Sequence, residues 1–171
     1  MRKYNRVGTD NYGRQVKNKL FQLGIREVRY LISCGFDEEA YRKLIEIQSM
    51  KDISIKQVLK VADCFYKLGK LEESEAILVQ VEQYQGMAEA LDFEDTLNLL
   101  NLLGLVKKAL KQEDTAMEYW RRCLDMNPTH NVALNNFGNI YMHKRNWDEA
   151  TKLFWKSKKC RLLLRFRFRK T

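Results

Sequence analysis

Apolar residues in this chain recur at intervals of three and four. Leu99, Leu102, Leu103 and Val106 form one such set, and Met117, Trp120 and Leu124 form the next. This spacing puts each set on one face of an α-helix, because side chains three and four apart lie above one another along the helix. The two stripes are predicted to face each other. Between later helices the dipeptide Asn127-Pro128 is a stop, since the residue before proline is pushed out of the α region. The chain has one proline and 8 glycines, too few breakers for many short strands and turns. Helix is therefore expected throughout.

The pattern also repeats at a longer period. The segment from Leu103, L-G-L-V-K-K-A-L-K-Q-E-D-T-A-M-E-Y-W, realigns 34 residues later, so that Gly104 meets Gly138, Ala116 meets Ala150 and Trp120 meets Phe154. The same step carries Val28 onto Ala62, Leu31 onto Phe65, Gly35 onto Gly69, Ala40 onto Ser74 and Leu44 onto Leu78. Within a unit, a small residue on the first helix precedes a small residue on the second by 12 positions, as in Gly104 to Ala116, Gly138 to Ala150 and Ala62 to Ser74. Antiparallel helices joined by a short turn approach closely only where the side chains at the crossing are small. Larger residues beside the crossing, Tyr141, Trp147 and Phe154, are expected to fill the space. Units are placed at 21–54, 55–88, 97–130 and 131–164, with an eight-residue insertion at 89–96. A basic arm is expected at 1–20 and a basic, apolar tail at 165–171.

The 34-residue period, with N-N-F-G-N-I-Y, then W-D-E-A, then Phe154, and preceded by Asn-Pro, resembles the tetratricopeptide repeat. The likeness is strong from 97 to about 157 and looser over 21–88, where the Asn-Pro ending is missing. Its signature positions are Gly104, Ala116, Trp120, Pro128, Gly138, Tyr141, Ala150 and Phe154. The resemblance implies an all-α, right-handed superhelical stack of about four antiparallel helix pairs. It further implies a concave wall, lined by the first helix of each pair, that binds peptides or helices of partner proteins. The residues of this chain on that wall are Asn98, Asn101, Lys108, Asn135, Asn136, Asn139 and His143. Amides carry donors and acceptors together, so they suit an extended peptide backbone without demanding a particular side-chain sequence. Asn135, Asn136 and Asn139 are similar to the asparagine ladder in the repeat domain of O-linked N-acetylglucosamine transferase. The basic clamp of chaperone-docking repeats is not reproduced, since Leu59 and Asp63 stand where it would lie.

Charge adds a separate feature. The net charge is +9, and from Thr151 onward there are nine lysines and arginines and no acid, so the rest of the chain is balanced. The ending C-R-L-L-L-R-F-R-F-R-K-T places Arg161, Leu163, Arg165, Phe166, Arg167, Phe168 and Arg169 in a segment with the character of a docking element. Three readings stay open for it: folding back on the last helix pair, docking within a larger assembly, or attachment to an anionic membrane surface. Interleaved arginines and aromatics also suit phosphates and bases, so a nucleic-acid-associated helical repeat is the alternative function.

Catalytic chemistry finds little footing. The chain has no phosphate-cradling glycine loop and no histidine-carboxylate pair on one helical face. Its two histidines, His130 and His143, are expected on solvated surface. Cys34, Cys64, Cys123 and Cys160 lie far apart, with no Cys-x-x-Cys spacing, so neither zinc nor a cofactor is expected and the thiols are expected to be reduced packing residues. No secretory apolar region is visible, which points to an intracellular, cytoplasmic protein; the basic start leaves a mitochondrial address as the alternative.

Overall fold

The structure is a computed structural model that describes the backbone of residues 6–84 and 91–157, with side chains from Tyr12 onward. Among the described residues there are eight α-helices and no strand. They are α1 (Arg6–Cys34), α2 (Asp37–Gln48), α3 (Ile55–Lys67), α4 (Leu71–Tyr84), α5 (Phe93–Ala109), α6 (Glu113–Met126), α7 (Asn131–His143) and α8 (Trp147–Lys156). The chain forms two compact units, Met1–Ile77 and Leu78–Thr171. In the first, α1 packs on α2 and both pack on α3; in the second, α5 pairs with α6, α7 pairs with α8, and α6 also packs on α7.

Each hairpin closes by the same backbone device. Gly35, Gly69, Lys111 and Arg145 have φ of 79, 73, 62 and 58°. At each, the amide bonds back to the carbonyl three residues earlier, and the next amide bonds to the carbonyl five residues before it: Gly35 to Ile32 and Phe36 to Leu31, Gly69 to Tyr66 and Lys70 to Phe65, Lys111 to Lys108 and Gln112 to Lys107, Arg145 to Met142 and Asn146 to Tyr141. This left-handed ending satisfies carbonyls that the helix terminus would otherwise leave open. The new helix then starts at once, with Phe36, Lys70, Gln112 and Asn146 accepting from Ala40, Ser74, Ala116 and Ala150. The turn recurs at steps of 34, 42 and 34 residues, so the extra eight residues fall between the second and third turns.

Ala40, Ser74, Ala116 and Ala150 are all fully buried. Ser74 is polar, yet its hydroxyl donates to the Ala62 carbonyl at 2.9 Å, so its burial leaves no open donor. The tightest glycine approach is that of Gly104 to Trp120. A β-carbon on Gly104 would stand 2.6 Å from Cε2 of Trp120, and one on Gly138 would stand 3.1 Å from two atoms of the Phe154 ring. Glycine at 104 thus lets the largest side chain of the core lie flat against α5. The indole nitrogen of Trp120 is buried there with no hydrogen-bond partner among the described residues. Around it pack Leu97, Leu100, Ala116, Cys123, Ala133, Phe137 and Ile140.

Several details differ from the sequence reading. Helix α1 starts at Arg6, so residues 6–20 are its first turns rather than a separate arm. Asp92 caps α5, accepting from Asp95 at 2.7 Å, so 93–96 are helical and not part of an inserted loop. Trp147 is 54% exposed and fills no crossing, because it sits at the outward start of α8; Tyr141 instead packs beside Phe137 at 5.3 Å between ring centres. Cys34 is an exposed thiol, whereas Cys64 and Cys123 are buried and free, and burial pushes the Cys123 thiol up to about 11. Cys160 and the tail residues Arg161, Leu163, Arg165, Phe166, Arg167, Phe168 and Arg169 lie outside the described residues.

His130 is half-buried and caps α7: its Nδ1 accepts from the Ala133 amide at 3.2 Å and lies 3.5 Å from Cys123 Sγ. Burial lowers its pKa below the ordinary 6.5, an effect partly opposed by the charge of Glu94. Protonation would both charge a half-buried ring and remove the acceptor that holds the helix start.

Three outcomes are expected. Gly104→Ala should cost about 1–3 kcal/mol through overpacking against Trp120, while Gly138→Ala should be nearly neutral, because the looser contact is offset by alanine's better helix propensity; thermal melts of both variants decide this. Lys111→Gly and Arg145→Gly should each raise stability by about 0.5–1 kcal/mol by relieving the left-handed backbone, read from denaturant midpoints. For His130 the folded state binds fewer protons than the unfolded chain between the two pKa values. Its stabilising contribution is therefore whole above about pH 6.5 and is lost as pH falls toward the folded value. His130→Asn keeps a capping oxygen and should flatten that part of the profile of melting temperature against pH.

Candidate peptide-binding wall

In the second unit the first helices of the two complete pairs, α5 and α7, touch directly. Their outward sectors carry the residues that the sequence singled out. Asn98 and His143 are exposed, and Asn101, Lys108, Asn135, Asn136 and Asn139 are half-buried. On α7, a step of 100° per residue places Val132, Asn139 and His143 in the middle of this sector, with Asn135 at one edge and Asn136 at the other.

The two edge asparagines are engaged within the protein. Asn136 Nδ2 donates to Asn101 Oδ1 at 3.1 Å, tying α7 to α5 across 35 residues of chain. On the other edge, the Ser157 hydroxyl donates to Asn135 Oδ1 at 2.8 Å, holding the end of α8 against α7. Asn101 and Asn135 occupy the same position in successive repeats, and each uses its amide oxygen to hold a later part of the chain. Part of the expected ladder is thus structural. Asn139 is different: it is half-buried, and its side chain makes no hydrogen bond to a described residue.

First-helix contacts in the first unit follow the same plan. Gln57 Nε2 donates to Asn18 Oδ1 at 2.9 Å, Lys60 Nζ donates to Gln22 Oε1 at 3.2 Å, and Arg29 pairs with Asp63 at 3.1 Å. Asp63 also receives Lys67 at 2.7 Å. Gln57 doubles as the capping-box partner of Ser54, which fixes the start of α3. Arg29 and Asp63 stand one repeat apart, at the position that holds Asn139 in the last repeat. An ion pair there closes the α1–α3 face with charge, where the α7 face keeps a neutral amide.

Two wall residues escaped the sequence reading. Val132, at the first turn of α7, is 49% exposed beside the amides. Leu105 is half-buried at the α5 position equivalent to Asn139 and packs against the Trp120 cluster. An amide search passes over them, although the equivalence of Leu105 and Asn139 under the 34-residue step was available to find one of them. The wall is therefore amphipathic, with Asn98, Asn139 and His143 as polar points beside Val132 and Leu105. Such a mixture can hold the backbone of a peptide and one or two of its apolar side chains.

Among the described residues there is no cluster of histidine, cysteine and carboxylate groups able to hold a metal ion, and no helix is long and apolar enough to cross a membrane.

Family comparisons agree with this geometry. Tetratricopeptide repeat models match residues 97–130 and 132–162. Human tetratricopeptide repeat protein 6 is 28% identical over 75 residues, covering 44% of this chain but only 14% of that protein's length. Among solved structures, a crystal structure of MamA superposes with a TM-score of 0.57 at 16% identity, covering 82% of this chain and 77% of that one. The C-terminal part of a TPR repeat-containing protein from Cytophaga hutchinsonii gives 0.54 at 18% identity, covering 78% and 50%. At these identities the structural likeness speaks for the fold alone. Two tetratricopeptide repeats, matched in succession over 97–130 and 132–162, thus fall on the helix pairs α5–α6 and α7–α8, each closed by the recurring turn.

Proposed function

We propose that this chain is a non-enzymatic protein-protein interaction scaffold or adaptor, a subunit of a larger assembly, that takes a peptide or helix of its partner on the α5–α7 wall. Repeats of this family serve generally as protein-interaction modules, which supports the broad reading. The observation that carries the finer one is Asn139, half-buried in the middle of the outward sector with no side-chain bond to a described residue, flanked by exposed Val132 and by His143. Its amide is left to solvent rather than to the protein's own helices, and a bound main chain can meet both its donor and its acceptor.

The test is affinity capture with the full chain, compared with an Asn98→Ala/Asn139→Ala variant and with an Arg165→Gln/Arg167→Gln/Arg169→Gln variant. Capture should fall at least about tenfold in the first, with helicity unchanged by circular dichroism, and persist in the second. Capture that survives the wall variant but is lost with the arginines would move the activity to the tail. If that lost binding were to polynucleotide and fell steeply with salt, the nucleic-acid reading would replace this one.

A further inference from the structure

Helix α1 reaches beyond the repeat it belongs to. The 34-residue step between the first two hairpin turns makes Phe21 equivalent to Ile55, the first residue of α3, so residues 6–20 are an extension with no counterpart on that helix. This extension runs along the turn between α2 and α3. Lys17 Nζ donates to Asp52 Oδ2 at 3.1 Å, and Gln57 Nε2 donates to Asn18 Oδ1 at 2.9 Å. Between the extension and the turn lies a cavity of about 750 Å³, a volume in the range that holds a small organic molecule. It belongs wholly to the first unit.

The lining divides by chemistry. Its apolar part is half-buried Met50 and Ile53, backed by fully buried Phe21. Its polar part is rich in donors. Arg14 and Lys51 are exposed and pair with no described carboxylate. Asn18 Nδ2 makes no hydrogen bond to a described residue, and Gln57, only 8% exposed, spends one Nε2 hydrogen on Asn18 and keeps a second. The start of α3, which has no acid in its first turn, adds the positive end of a helix dipole. Acceptors are already engaged: Gln57 Oε1 takes the Ser54 amide at 2.8 Å, and Asp52 holds Lys17. Asp52 is the single carboxylate of the lining, and its pair with Lys17 is weak, because the two side chains are 80% and 58% exposed. Three cations beside an apolar patch, with spare donors between, complement an anion carried on an apolar body. A bare phosphate would meet the cations but gain nothing from Met50 and Ile53.

We propose that this cavity binds a small amphipathic carboxylic acid, its carboxylate among Arg14, Lys17 and Lys51 and its hydrocarbon part on Met50 and Ile53. In the free protein Asp52 stands in for the ligand's carboxylate at Lys17, and it gives that lysine up when the ligand enters. The cavity shares no residue with the α5–α7 wall. Acid binding here and peptide capture there are separable properties.

Titration of the full chain with octanoate, followed by calorimetry and by amide chemical shifts, tests the site. Octanoate should bind and should shift the side-chain amides of Asn18 and Gln57, while 1-octanol, acetate and inorganic phosphate should each bind at least about tenfold more weakly. Arg14→Glu/Lys51→Glu should weaken octanoate more than about tenfold with helicity kept. Asp52→Asn should tighten it about threefold or more, because Lys17 is freed while asparagine still tolerates the left-handed φ of 64°. Asn98→Ala/Asn139→Ala should leave it unchanged. Octanoate that fails to bind, or binds without shifting those two amides, overturns the proposal. So does 1-octanol or phosphate that binds as tightly, affinity that survives the charge reversal, and weaker binding in Asp52→Asn.

Discussion

A helix pair of this size cannot bury both its apolar faces by itself, and the whole arrangement follows from that constraint. Two helices of a dozen or so residues shield each other along one line only. The faces turned away from that line must find the next pair, which is why stability in such arrays is shared between neighbours. Closeness at the crossing is therefore the critical quantity. Where glycine stands at 104, Trp120 lies flat against the opposing helix and becomes the centre of a cluster that reaches Phe137 and Ile140 of the next pair. The cost is a buried indole N-H without a partner among the described residues, accepted where packing a ring of that size is worth more than one hydrogen bond.

Polar contacts follow the same logic of neighbours. Asn136 reaches Asn101, Asn135 holds Ser157, and Arg29 meets Asp63, each linking one element to another rather than decorating its own helix. Exposed ion pairs are individually weak, but these sit on the outward faces of first helices and set how much of each face is left for a ligand. Side chains spent on register are not available for binding. The wall of the second unit is distinguished by what it leaves unspent, above all Asn139.

Much of this was legible in the chain before any coordinate. Helical periodicity, the 34-residue step and the 12-residue pairing of small residues together specify antiparallel hairpins, because they put a small residue of each first helix and one of the second at the same crossing. The bulky partners at 120 and 154 followed from the same spacing. Trp147 did not, because a large aromatic beside a turn gives the same sequence signal whether it points inward or out. Its place at the first position of α8 turned it to solvent. His130 was likewise read as solvated, since capping by an imidazole nitrogen depends on a backbone geometry that composition does not carry.

Local rules thus determined the repeat, the number of pairs and the crossings, because these depend on residues a fixed number of positions apart. Tertiary structure alone decided which asparagines bind the protein's own helices, which thiols are covered, and that the start of α1 and the turn after α2 leave a cavity between them. Hydrogen-bond partners and burial are properties of what comes to lie beside a residue. Spacing along the chain can tell which way a side chain faces, but not whether anything is there to meet it.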